Sequence, residues 1–105
     1  MSRLSTHVLD TSSGKPAANI RVRLYGHDRE LASALTNADG RCSSLLPPDV
    51  PLTVGMYRLV FEIGTYFEDG FYPEVSISFL VRDPGANYHV PLLISPFGFT
   101  TYRGS

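Results

Sequence analysis

Apolar and polar residues alternate through almost the whole chain. In NIRVRLYG, Ile20, Val22 and Leu24 fall on one face and Arg21, Arg23 and Tyr25 on the other. A period of two with one apolar side marks a half-buried antiparallel strand. MYRLVFEI repeats the pattern with Tyr57, Leu59, Phe61 and Ile63. EVSISFLVR does so with Val75, Ile77, Phe79 and Val81 against Ser76 and Ser78. NYHVPLLIS sets Tyr88, Val90, Leu92 and Ile94 against His89, Pro91, Leu93 and Ser95. LSTHVLD, LASALTN, RCSSLL and FGFTTYR are weaker versions, which makes about eight short strands. Between them, DTSSGKP, NADG, PPDVP, DPGAN and SPFG hold most of the Gly and Pro, each suited to a bend. Strands this short and this regularly punctuated predict a sandwich or barrel. Only GTYFEDGFYP breaks the alternation, and one short helical turn is expected there.

Two stretches carry apolar residues on both faces: Tyr57–Ile63, and the strand around Leu92 and Leu93. A two-layer sandwich covers one face of each sheet, so the second face calls for a further partner. Repeats, low-complexity runs and linkers are absent, and 105 residues predict a single domain over residues 1–105. An apolar content of 43% suffices for one core. The formal charge is −1 and Lys and Arg form no run, which argues against a nucleic-acid surface. No apolar run approaches the roughly 18 residues that a membrane span needs. The opening MSRLSTHVLD turns polar at once, unlike a secretory leader, so a cytoplasmic protein is expected. The single Cys42 forms no internal disulfide.

Candidate chemistry is sparse. His7 lies in the first strand, His27 in the charged turn GHDRE, and His89 in YHVPLL. A lone strand histidine is most often structural, and His27 keeps that reading. The histidines stand far apart, with no Cys or carboxylate at ligand spacing beside them, so neither a metal nor a cofactor is expected. Cys42 follows Arg41, which would favour a thiolate, but cysteine is more commonly a small buried hydrophobe. No nucleophile elbow and no glycine-rich phosphate loop occur. That leaves two strand histidines, one arginine after a tight turn, and the closing segment TTYRGS.

Those loose ends coincide in one family. LSTHVLDTSSGKPA (Leu4–Ala17), NADGRC (Asn37–Cys42) and YHVPLLISPFGFTTYRGS (Tyr88–Ser105) resemble the 5-hydroxyisourate hydrolases, the transthyretin-related enzymes of purine catabolism. The tetrapeptide Tyr102-Arg103-Gly104-Ser105 is the most specific part, because it separates these hydrolases from hormone-carrying transthyretins. The resemblance implies an all-β, transthyretin-like sandwich of two four-stranded antiparallel sheets with one short helix. It also implies a homotetramer with active sites at the dimer–dimer interface. The implied reaction adds water to 5-hydroxyisourate, opening its six-membered ring at an amide-type C–N bond. The product is 2-oxo-4-hydroxy-4-carboxy-5-ureidoimidazoline, and no cofactor or metal takes part. His7, Arg41, His89 and Ser105 are the implied catalytic residues. Tyr102, Arg103 and Gly104 join His7 and Arg41 at the substrate. Either histidine suits a general base, and Ser105 offers both a hydroxyl and a carboxylate. The alternative, a transthyretin-like carrier of a small aromatic, fits less well with so polar a set.

Overall fold

The structure, a computed structural model, describes residues 3–105. Nine strands follow in chain order: β1 (Arg3–Asp10), β2 (Lys15–Pro16), β3 (Arg21–Gly26), β4 (Arg29–Leu35), β5 (Arg41–Cys42), β6 (Gly55–Glu62), β7 (Glu74–Val81), β8 (Asn87–Ser95) and β9 (Gly98–Thr101). One sheet runs β2-β1-β8-β9, with β5 also paired to β1, and the other runs β4-β3-β6-β7. The eight strands expected from alternation are all present. Lys15–Pro16, read from sequence as part of a turn, adds a two-residue ninth.

Alternation sets which face is buried. Leu4 and Val8 of β1, Val22 and Leu24 of β3, Leu59 and Phe61 of β6, and Leu92 and Ile94 of β8 are all sealed between the sheets. Removing each such side chain from water stabilises the fold by about 1.5–3 kcal/mol. Of the residues that suggested a second buried face, Val60 is buried within the chain's own fold, whereas Leu93 is half-buried.

One pairing is parallel. β1 and β8 run in the same direction, matching Ser5 with His89 and His7 with Pro91. All the other strand pairs are antiparallel. Parallel partners need a crossover connection rather than a hairpin, and here the intervening chain builds the whole second sheet.

The helix expected in GTYFEDGFYP is absent: no residue among those described is helical. Tyr66 and Phe67 both donate their amides to the Ile63 carbonyl, forming one tight turn that is not continued. The amides of Ile63 and Gly64 turn instead to the Pro73 carbonyl, and that of Phe71 to Pro96. A helix nucleus fixes several residues for one hydrogen bond, and glycines at 64 and 70 raise that cost. The loop is tied down by a side chain. Tyr66 donates its hydroxyl to Asp10 Oδ2 at 3.0 Å, and the amide of Ser12 donates to Asp10 Oδ1 at 2.9 Å. Burial pushes the Asp10 carboxyl up, but the hydrogen bonds from Ser12, Tyr66 and Ser13 outweigh it and leave it below its ordinary range.

Candidate active site

The site grows from one turn and one face. In NADG, Asn37 Oδ1 accepts the amides of Asp39 and Arg41, while the Arg41 carbonyl accepts the Asn37 amide. Gly40 closes the turn with φ of 74°, a region that favours glycine. Its carbonyl accepts the Val8 amide at 2.7 Å, and a Cβ there would strike the Val8 carbonyl oxygen. The turn is thereby docked on β1 and delivers Arg41 directly opposite His7.

Directly paired residues share a face of a sheet. Thr6 and Cys42 therefore point inward together, whereas His7 and Arg41 point outward. By the same rule Ser5 and His89 share that outer face. Two β1 positions, one from β5 and one from β8 thus bring His7, Arg41 and His89 onto one surface, although they span most of the chain length. The tail then returns over β8. Gly104 donates its amide to the His89 carbonyl at 2.8 Å. A Cβ at Gly104 would lie 2.5 Å from His89 Cδ2 and 3.2 Å from Pro91 Cγ, so only glycine lets the tail lie this close.

An open cleft of about 320 Å³ results, with Arg41, His89 and Ser105 on its walls beside Ser5, Thr6 and Ser43. His7 flanks the cleft on the same face without lining it. His89 Nδ1 lies 2.8 Å from Ser5 Oγ. Burial, the Arg41 guanidinium and His7 together hold its imidazole below the ordinary histidine value, with a weaker opposing effect from the Ser5 backbone. The ring is accordingly neutral at pH 7.

The other sequence candidates separate from this group. Arg103 turns its guanidinium over the Tyr88 ring, 4.8 Å from the centroid. With Tyr102 it borders a smaller, mostly apolar hollow of about 240 Å³, which shares His89 with the cleft. His27 belongs to the other sheet, in a two-residue hairpin turn where it and Asp28 both have positive φ. Its Nε2 lies 2.9 Å from Thr53 Oγ1 and its ring packs edge-on against Tyr57, which fits its structural reading. Cys42 faces the core, and burial raises its thiol, leaving it protonated. Among the described residues no three His, Cys, Asp or Glu side chains gather as metal ligands. Sequence reasoning passed over Ser5. It stands two positions before His7, hence on the same face, but its partner lies 84 residues away and no local pattern reveals the pairing.

A β-sandwich carrying a histidine–arginine cleft on the outside of one sheet, closed by its own C-terminal segment, defines a transthyretin-like protein with a polar site. The chain belongs to the HIUase/Transthyretin family, whose model matches residues 4–104. A 5-hydroxyisourate hydrolase of Mesorhizobium japonicum is 45% identical, over 98% of this chain and 92% of that protein. The solved 5-hydroxyisourate hydrolase of Klebsiella pneumoniae superposes with a TM-score of 0.90 at 38% identity, covering all of both chains. Transthyretin from Sparus aurata superposes with a TM-score of 0.85 at 26% identity, over 96% of this chain and 95% of that one.

Proposed function

We propose that this chain is a 5-hydroxyisourate hydrolase of purine catabolism, with His7, Arg41, His89 and Ser105 as its catalytic residues. Full-length relatives bearing that name support the activity. The observation that carries the site is the convergence of Arg41, His89 and Ser105 on one cleft, with His7 opposite Arg41.

Lactam hydrolysis needs a water made nucleophilic and donors for the oxyanion that follows. A neutral His89 takes a proton from water as the oxygen adds to the ring carbonyl carbon. Arg41, with forked N–H donors, meets the charge building on the carbonyl oxygen. As the intermediate collapses, the C–N bond breaks and the imidazolium returns its proton to the departing ring nitrogen. The freed acid ionises to the carboxylate of the ureidoimidazoline product. His7 orients Arg41 and the water, and Ser105 closes the cleft with its hydroxyl. Gly104 keeps the tail against His89, and Tyr102 and Arg103 would meet the substrate where it extends into the adjoining hollow that shares His89.

Four copies around two-fold axes would set each cleft against a neighbour. Exposed Leu80, Phe97, Phe99 and Tyr102 support such an assembly. No helix among the described residues is long and apolar enough to cross a membrane, and a cytoplasmic location is proposed. A small-aromatic carrier has less support, because the cleft is lined by cationic and hydroxyl groups. The test is to add the protein to freshly generated 5-hydroxyisourate and follow its ultraviolet absorbance. Acceleration over spontaneous decay supports the proposal, and unchanged decay ends it.

A further inference from the structure

The mechanism above leaves one hydrogen bond unused. Ser5 faces His89 across the parallel β1–β8 pair, and its Oγ stands 2.8 Å from Nδ1. A neutral imidazole has one N–H and one lone pair, and the partner of one nitrogen fixes the character of the other. If Nδ1–H donates to Ser5 Oγ, the lone pair is on Nε2. If the hydroxyl donates instead, Nε2 carries the proton and cannot act as a base.

The surroundings favour the first arrangement. His7 bears on the ring from β1 and Arg41 from β5, and both disfavour its protonation. Arg103 and Ser105 approach from the tail. Both guanidinium groups are donors only, so neither can accept an imidazole N–H. Ser5 Oγ and Ser105 can, and of the two it is Ser5 Oγ that stands at hydrogen-bonding distance of the ring. Ser5 is also held in place: it belongs to a strand paired on both edges, and its neighbour Thr6 donates its hydroxyl to the Val90 carbonyl.

We infer that Ser5 is the positioning residue of His89, accepting Nδ1–H so that Nε2 presents its lone pair to water. The inference rests on the hydrolase reading for its consequence but not for its geometry. Two readouts therefore separate them. In ¹⁵N-labelled full-length protein without substrate, His89 resonances, assigned with a His89→Gln variant, should show a single tautomer protonated at Nδ1. Ser5→Ala should give a tautomer mixture, and Ser5→Thr should restore the single form. Turnover should follow: Ser5→Ala loses roughly ten- to a hundredfold in kcat with KM little changed, as misplacement of a catalytic group does, and Ser5→Thr recovers it.

A proton found on Nε2 in the wild type, or tautomers unaltered in Ser5→Ala, would overturn the inference. A correct tautomer in a protein that fails to hydrolyse 5-hydroxyisourate would support the Ser5 assignment while ending the hydrolase proposal.

Discussion

At Gly104 a Cβ would press on the His89 ring from 2.5 Å, so even the smallest side chain must shift the tail or the imidazole. Gly104→Ala should therefore lower turnover by roughly ten- to a hundredfold. Thermal stability should barely change, since the tail lies outside the core, and calorimetry checks that half of the expectation. Arg41 makes a second residue-scale test. Replacing a planar fork by a point charge removes paired donation, so Arg41→Lys should lose most activity although its charge is kept. Wild-type kinetics in that variant would reduce the role of Arg41 to its field. The imidazole of His89 also sets a pH dependence. Burial, Arg41 and His7 lower its value, so the base form persists below the ordinary histidine range near 6.5. The rate kcat/KM should accordingly rise with pH through a limb centred below 6.5, and a limb centred above 6.5 would contradict it.

Among the elements, the tail and the Gly64–Pro73 loop are each held by an aromatic ring. Tyr88 receives the Arg103 guanidinium on its face and donates its hydroxyl to the Asp83 carbonyl at 2.8 Å. Deleting residues 102–105 should abolish hydrolysis and leave the sandwich folded, as circular dichroism would register. In the loop, Tyr66→Phe removes a hydrogen bond to a buried carboxylate and should cost about 1–2 kcal/mol. Asp10 has a lowered value in the fold, so its contribution is complete above the unfolded value near 3.9 and fades as pH falls through the lower folded one. The difference between wild type and Tyr66→Phe in urea should shrink over that acid range. Strand identity was legible in the sequence because Tyr57, Leu59, Phe61 and Ile63 alternate without interruption. The parallel pairing of β1 with β8 was not, since periodicity fixes faces and says nothing of partners. The site was legible only through family resemblance. His7 and His89 are meaningless singly, and Ser5 has no sequence signal at all until the register brings it opposite His89. The missing helix has local causes: Gly64 and Gly70 disfavour a helix nucleus, and Phe71 gives its amide to the Pro96 carbonyl rather than back to Phe67.

On the scale of the whole molecule, the cleft opens on the outer face of one sheet, where a neighbouring copy would enclose it. Sedimentation should give four times the chain mass, and a monomer with full activity would remove the interface from the account. Residues added after Ser105 should impair turnover more than the same residues placed before Met1, because Ser105 lines the cleft. The most direct measurement uses freshly generated 5-hydroxyisourate, followed by its ultraviolet absorbance with wild type, His7→Ala, His89→Ala and His27→Ala side by side. The expected result is rapid decay with wild type and His27→Ala, a loss of about 10²–10⁴-fold with His89→Ala, the usual contribution of general acid–base catalysis, and a loss of roughly a hundredfold with His7→Ala, as misplacement of reacting groups gives. Equal rates in all four proteins, or no acceleration by any of them, would contradict it.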